Sequence, residues 1–280
     1  MIIDIHSHMI NKNFDINTFK SNFTTKMFLL RLQTRNFDEY YKRMSGELKQ
    51  SKVQKAVLCA IENVDVCSNN KQTIEICKNN PDFLYGANID FNSNIESQVK
   101  NALENNAVLI KVLPSFQNVD LSDKKYVPFF ELLKENNLPL LVHTGIEHTI
   151  KGGNQELNNP NKLELASKMG VKIICAHCGA KLNFWEKCYF ENWFKLIKKY
   201  DNVFGDLSAM ILFYRKSYLD KILKSEFLKS KVIFGTDFPC YPYINMSKNS
   251  NIFDDWYNMF EKIGFENDFF TKSAKILRLI

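Results

Sequence analysis

Eight short apolar segments recur along this chain of 280 residues, and a polar or amphipathic stretch of helical length follows each one. Continuous apolar strands that alternate with helices predict a parallel sheet covered by helices. Eight such units predict a closed α/β barrel, the (β/α)8 or TIM barrel. The predicted strands cover residues 1–6, 55–61, 83–90, 107–113, 138–143, 171–177, 202–208 and 231–237.

The segments between the strands supply the predicted helices, at 37–51, 67–80, 94–105, 122–136, 160–169, 186–199, 215–229 and 254–263. An open, doubly wound sheet would show the same alternation, but it is expected to carry a glycine-rich phosphate turn, and GxGxxG is absent. We therefore expect one domain over residues 1–280. The stretch 9–36 lacks a strand period and predicts an insertion after strand 1, either a lid over the barrel mouth or a packed surface excursion.

Composition limits the partners that the chain is expected to have. The 37 basic and 31 acidic side chains give a net charge of +6, and the lysines are scattered rather than gathered in one stripe, so we expect no nucleic-acid partner. No window approaches eighteen apolar residues and no signal-peptide pattern is present, which predicts a cytoplasmic protein without a membrane partner. The seven cysteines are an odd number and widely spread, so reduced thiols are expected.

Four of the five histidines stand at or just beyond the end of a predicted strand, and they are His6, His8, His143 and His177. The carboxyl ends of barrel strands surround the cavity in which catalytic residues collect. Because side chains alternate along a strand, Asp4, His6 and His8 are expected to share one face, with the two imidazoles about 7 Å apart along the backbone. Both can then converge on one metal ion. The alternative is a buried histidine that binds no metal.

His143 and Asp237 end the fifth and eighth predicted strands, so both are expected to face the barrel mouth. Three imidazoles and a carboxylate suit one divalent ion, with Zn²⁺ as the first choice and Mn²⁺ or Fe²⁺ as ions that accept the same donors. Such an ion lowers the pKa of bound water to about 7 and makes it a usable nucleophile. For Asp237 alone, a loop cap after the strand is the alternative.

Four further residues are candidates for catalysis or substrate binding. His177 ends the sixth predicted strand, where it could act as a general base or acid, with a fifth metal ligand as the alternative. Lys111 lies within an apolar strand, which is costly unless its amino group meets a partner. We expect a contact with a substrate anion; a carboxylated lysine that bridges two metals and an ion pair with Asp90 or Asp4 remain open. Arg215 is a candidate anion anchor, and Phe238 is a candidate lining residue of the substrate pocket.

Six short motifs resemble, in chain order, those of the amidohydrolase superfamily, in the branch related to aminocarboxymuconate-semialdehyde decarboxylase. The motifs are DIHSH (4–8), IKVLPSFQ (110–117), LPLLVHTG (138–145), AHCG (176–179), GDLS (205–208) and FGTDFP (234–239). The resemblance implies that His6, His8, His143 and Asp237 bind the metal and that His177 is the acid/base residue.

Two positions depart from the pattern of this branch. Leu113 stands where similar proteins have the histidine of K-x-H-P, and Gly179 is followed by Ala180 rather than by a second glycine. The resemblance therefore extends to fold and metal chemistry and leaves the substrate open.

The expected function is hydrolysis of an ester, lactone or amide in a small, carboxylate-bearing molecule by metal-activated water, in which His177 and Asp237 handle protons. Non-oxidative decarboxylation of a carboxylated diene or aromatic acid is the alternative within the same ligand set. A metal-free barrel that serves as a binding or scaffold protein is the third hypothesis. A small molecule is the expected partner, and a homodimer is left open.

Overall fold

The computed structural model describes residues 1–14, 34–147, 153–212, 214–239 and 251–280. Eight parallel strands form one sheet whose order follows the chain from β1 to β8. The strands are β1 Ile3–Ser7, β2 Lys55–Cys59, β3 Phe83–Asn88, β4 Leu109–Val112, β5 Leu140–His143, β6 Ile173–Ala176, β7 Val203–Asp206 and β8 Val232–Ile233. Each strand lies within a segment predicted from the sequence or within one residue of it.

The last strand meets the first through backbone hydrogen bonds beyond the end of β8. The amide of Asp237 donates to the carbonyl of His6 at 2.7 Å, and the amide of His8 donates to the carbonyl of Phe238 at 2.9 Å. These bonds complete the barrel, which confirms the predicted fold. They also hold the Asp237 segment directly beside the two histidines of β1.

Helices connect the strands on the outside of the barrel. They are α1 Phe37–Gln50, α2 Asn70–Asn79, α3 Ile95–Glu104, α4 Pro114–Gln117, α5 Val127–Glu135, α6 Glu164–Lys168, α7 Phe190–Lys199, α8 Arg215–Leu223, α9 Glu226–Ser230, α10 Ile252–Lys262 and α11 Asn267–Ile276. The predicted helices are present, whereas α4 and α11 were not predicted. None of the helices in the described ranges is long and apolar enough to cross a lipid bilayer.

Asparagine side chains fix where several helices begin. The four residues Asn36, Asn69, Asn94 and Asn251 each precede a helix and accept a hydrogen bond from the backbone amide three residues later. An asparagine at this position satisfies one of the amides that the first helical turn leaves unpaired. The asparagine-rich composition therefore contributes directly to the helix boundaries.

Apolar side chains fill the barrel interior below the mouth. This inner cluster contains Ile3, Ile5, Val57, Cys59, Leu109, Leu141, Ile174, Ala176 and Ile233. Helix α11 adds Ala274 and Ile276 to the cluster, and it thereby closes the end of the barrel at which the strands begin. The opposite end, where the strands finish, is left for polar side chains.

The first part of the predicted insertion folds back onto the neighbouring loop. Ile10 forms an antiparallel bridge with Cys67, and Phe14 is buried. Residues 15–33 lie outside the described ranges, so the predicted lid over the mouth stays a prediction.

Candidate active site

His6 and His8 are fixed at the end of β1 by partners that set the tautomer of each ring. Nδ1 of His6 lies 2.9 Å from a carboxylate oxygen of Asp206, and Nδ1 of His8 lies 3.1 Å from the carbonyl oxygen of Cys59. A carboxylate and a carbonyl only accept hydrogen bonds, so each Nδ1 carries the proton. In the neutral form of each ring, Nε2 is therefore left with its lone pair.

These two Nε2 atoms and a carboxylate oxygen form a compact triangle. The Nε2 atoms of His6 and His8 are 3.2 Å apart, and Oδ1 of Asp237 is 3.5 Å from each of them. Two lone pairs facing each other at this distance repel, unless a cation lies between them. Ligands about 2.0–2.2 Å from a tetrahedral ion are separated by about 3.3–3.6 Å. The three residues therefore fit a divalent metal ion.

The charge of Asp237 favours a cation at the triangle as well. Burial alone would raise the pKa of Asp237, but the attraction of positive charge at His6, His8 and His177 outweighs burial and holds the pKa well below its ordinary value. The carboxylate is thus ionised. Burial and the positive charge of Lys111 lower the pKa of His6, which keeps its ring neutral and able to act as a ligand.

The triangle depends on an irregularity in β1. Its pairing with β2 runs from Asp4 opposite Ala56 to Ser7 opposite Leu58, so β1 contains one residue more than β2 over this span. Such a bulge re-aims side chains. The carboxylate of Asp4 accepts hydrogen bonds from the side chains of Ser7 and Thr236, at 2.5 and 2.6 Å, and does not join the imidazoles.

His143 ends β5, as predicted, but it lies apart from the triangle. Among the described residues, the group that could hold a metal comprises only His6, His8 and Asp237. Nε2 of His143 is buried without a hydrogen-bond partner in the described ranges, and it lies 3.4 Å from Oε2 of Glu147. Burial lowers the pKa of His143 to about 4. The ring is therefore neutral, and its role as a metal ligand stays a prediction.

His177 follows β6 and points its free nitrogen toward the triangle. Its Nδ1 lies 2.8 Å from the carbonyl oxygen of Ser208, so Nδ1 carries the proton, and Nε2 lies 3.9 Å from Oδ2 of Asp237. Burial, together with the charge of Arg215, lowers its pKa well below the ordinary value. The ring is neutral, and its Nε2 lone pair can accept a proton.

The backbone at the two predicted catalytic residues is strained. His177 and Asp237 have φ values of 58° and 61°, in the left-handed region that side chains other than glycine rarely adopt. Strain of this kind persists where the surrounding structure imposes it, and it often accompanies a functional site.

Asp206 at the end of β7 links the imidazole of His6 to the backbone of His177, and the sequence motif GDLS did not reveal this role. One of its oxygens binds Nδ1 of His6, and the other accepts the backbone amides of His177 at 3.0 Å and Ser208 at 3.1 Å. Burial alone would raise its pKa, but His6 and the hydrogen bonds keep it below its ordinary value. The sequence did contain one signal for this role, namely a carboxylate at the end of an apolar strand.

Lys111 is almost fully buried at 1% exposure, and its Nζ lies 2.9 Å from Nε2 of His6. Lys111 does not form the ion pair with Asp4 or Asp90 that the sequence left open. Asp4 accepts hydrogen bonds from Ser7 and Thr236, and Asp90 binds Ser93. The amino group therefore lies beside the triangle at the mouth. Its predicted contact with substrate stays a prediction.

The other two residues predicted to contact substrate, Arg215 and Phe238, lie in different surroundings. Arg215 begins α8, is buried, donates from Nε to the carbonyl of Ala180 at 3.3 Å, and lowers the pKa of both His143 and His177. Its charge therefore reaches the site.

Phe238 instead lies within an aromatic cluster. Its ring is fully buried, stacks on Phe253 at a centroid distance of 5.2 Å and meets Tyr40 edge-on at 5.7 Å. The structure thus gives Phe238 a packing role, and its predicted contact with substrate stays a prediction.

Glu147 is a site residue that sequence reasoning missed. Its backbone amide donates to Oε1 of Gln155 at 2.9 Å, and Nδ2 of the buried Asn158 donates to the same oxygen at 3.2 Å. Asn158 also binds Gly145 and Ser115. This network fixes the loop after β5 and brings a carboxylate to His143, which no spacing pattern in the sequence indicates.

Residues 50–257 match the Amidohydrolase family, which is well over half of the chain. The chain therefore belongs to the amidohydrolase family and is an enzyme, and the resemblance carried by the strand-end motifs is confirmed. Members of this family generally use a divalent metal ion. No curated protein gives a significant match to the sequence.

Solved structures share the fold over nearly the whole chain at low sequence identity. An uncharacterised TIM-barrel protein from Bordetella bronchiseptica is 14% identical, with a TM-score of 0.72 and coverage of 99% of this chain and 98% of that one. A probable 2-pyrone-4,6-dicarboxylic acid hydrolase from Acinetobacter baumannii is 13% identical, with a TM-score of 0.64 and 99% coverage of both. A 5-carboxyvanillate decarboxylase from Sphingomonas paucimobilis is 10% identical, with a TM-score of 0.60 and coverage of 99% and 98%. At these identities the likeness concerns the fold alone.

Proposed function

We propose that the protein is a metal-dependent hydrolase that cleaves an ester, lactone or amide in a small, carboxylate-bearing molecule. The observation that carries this proposal is the triangle of His6, His8 and Asp237, in which two fixed lone pairs and a carboxylate oxygen lie 3.2–3.5 Å apart. A divalent ion held there, with Zn²⁺ as first choice and Mn²⁺ or Fe²⁺ as others, would polarise a carbonyl group and acidify water.

His177 is the proposed proton carrier. Its neutral ring presents Nε2 to the mouth, while the Ser208 carbonyl holds the proton on Nδ1. After Nε2 accepts a proton, the ring is an imidazolium, which Oδ2 of Asp237 at 3.9 Å stabilises. The same ring can then donate the proton to the leaving group.

Two buried cations support an anionic substrate. Lys111 and Arg215 are 1% and 5% exposed, and the charge of each depresses the pKa of a site histidine. A substrate carboxylate at the mouth would interact favourably with positive charge there. Two of the structural neighbours carry names that refer to acids with carboxylate groups, a pyrone dicarboxylic acid and a carboxyvanillate.

Non-oxidative decarboxylation is the second candidate, and the fold shared with a 5-carboxyvanillate decarboxylase favours it. In that reaction the carboxylate would leave as CO₂, and His177 would deliver a proton to the carbon that carried it. The same side chains would act, with the proton going to carbon instead of to a leaving oxygen or nitrogen.

One screen separates the two reactions. Zinc-loaded protein is incubated with carboxylated lactones and with carboxylated aromatic acids, while ring opening and CO₂ release are both recorded. We expect ring opening of a lactone without CO₂ release. CO₂ release from an aromatic acid with no hydrolysis would establish the second candidate instead. His177→Asn, loaded with the same metal, controls for uncatalysed reaction.

A further inference from the structure

Lys111 uses the lone pair of His6 that a metal ion would need. The proton of the His6 ring is on Nδ1, where Asp206 accepts it at 2.9 Å, so Nε2 is the only acceptor atom on this ring. Nζ of Lys111 donates to that Nε2 at 2.9 Å. One imidazole nitrogen has one lone pair, and it cannot serve the lysine and a metal at once.

We propose that Lys111 competes with the metal ion for Nε2 of His6, so that loading the site requires displacement of the lysine amino group. This inference rests on the proposed function, because it concerns the same metal site. Lys111 is then not a metal ligand, but it sets how tightly the enzyme holds its metal.

The surroundings of Lys111 make this competition strong. Its side chain is 1% exposed, so water screens its charge poorly. The two carboxylates beside the ring of His6 are already engaged: Asp206 accepts from His6 and Ser208, and Asp237 lies against both imidazoles of β1. A divalent ion on the triangle would therefore be repelled by a positive charge that has no carboxylate of its own among the described residues.

Displacement also gives the lysine a second role. Once Nζ leaves His6, its three hydrogens are available to a substrate carboxylate at the mouth, as the proposed function requires. Removal of the amino group should then strengthen metal binding and weaken substrate binding. A residue that only supported the fold would weaken both.

The test measures Zn²⁺ affinity and stoichiometry in chelator-stripped protein, by competition with a chromophoric chelator and by elemental analysis. The variant is Lys111→Met, which keeps the unbranched stem and removes charge and donors; Lys111→Gln is the second variant if the first does not fold. Lys231→Met is the matched control. Lys231 directly precedes β8 and is also buried, but it binds Asp201.

We expect Lys111→Met to bind one Zn²⁺ at least ten-fold more tightly than the wild type, with Lys231→Met unchanged. Equal or weaker affinity in Lys111→Met overturns the inference, as does loss of a metal equivalent, which would make residue 111 a ligand. If the wild type binds Zn²⁺ and hydrolyses substrate while Lys111→Met binds it equally, only this inference fails. If neither protein binds a divalent metal, the proposed function fails.

Discussion

A single carboxylate, that of Asp206, holds Nδ1 of His6 at 2.9 Å and thereby orients a ring of the candidate metal site. Its second oxygen accepts the backbone amide of His177 at 3.0 Å. Asp206 itself is fully buried. The ring expected to bind the metal and the backbone of the residue expected to move the proton are therefore positioned from the same residue of β7.

Replacement of Asp206 by Asn should weaken metal binding by about 10–100-fold, because a neutral amide oxygen is a weaker acceptor for the Nδ1 hydrogen than a carboxylate. The measurement is Zn²⁺ affinity by chelator competition. Asp220→Asn, at an exposed position on α8, is the control and should match the wild type. Wild-type affinity in Asp206→Asn would show that His6 needs no such support.

Replacement of His177 by Asn should leave metal content unchanged and lower kcat by about 10²–10⁴-fold, since the proton carrier is lost while the triangle is intact. Turnover and metal content are measured on the same preparation. Full activity in this variant would remove His177 from the mechanism.

The stability of the protein should carry a pH dependence from Asp4. Burial raises the pKa of Asp4 from 3.8 to about 6, although Ser7 and Thr236 donate hydrogen bonds to it. Between these values the folded protein keeps a proton that the unfolded chain has lost. The contribution of this group is therefore fully present below pH 3.8 and is lost as the pH rises through about 6.

Asp4→Asn removes that titration. The free energy of unfolding of the wild type should fall relative to that of the variant by at most about 3 kcal/mol between about pH 4 and pH 7. Urea denaturation of metal-free protein, with chelator present throughout, gives both values. A difference between the two proteins that does not change with pH would contradict the raised pKa.

The loop after β5 should depend on Asn158. Its side chain is 1% exposed, and it is bonded to Ser115, Gly145 and Gln155. Asn158→Ala leaves these buried groups without their partner, so a loss of about 2–3 kcal/mol in the free energy of unfolding is expected. The exposed Asn161→Ala is the control. An equal, small effect of both changes in urea denaturation would show that the network adds no stability.

The barrel and the strand ends could be predicted because apolar runs and their spacing are local properties of the chain. That is why His6, His8, His143, His177 and Asp237 were expected at one end of the barrel. The structure brings His6, His8 and Asp237 into one triangle and His177 to within 3.9 Å of Asp237. The ends of strands were less predictable: β8 is only Val232–Ile233, because the chain leaves the ladder before the left-handed backbone of Asp237.

Contacts that depend on tertiary packing could not be predicted. The bulge in β1 decides that Asp4 binds Thr236 rather than facing the metal, and a bulge has no signature in DIHSH. The approach of Lys111 to His6 joins residues 105 positions apart. Phe238 follows a strand like a pocket residue, yet the neighbouring helices supply Phe253 and Tyr40 to enclose it.

The metal content of the wild type and of His8→Ala tests the central claim most directly. His8 is the most exposed imidazole of the triangle, at 16%, so its removal disturbs the fold least. The wild type should bind about one equivalent of Zn²⁺, and His8→Ala should lose at least about 100-fold in affinity with the fold intact by circular dichroism. Equal binding by both proteins, or no divalent metal in the wild type, would contradict the claim that His6, His8 and Asp237 form a metal site.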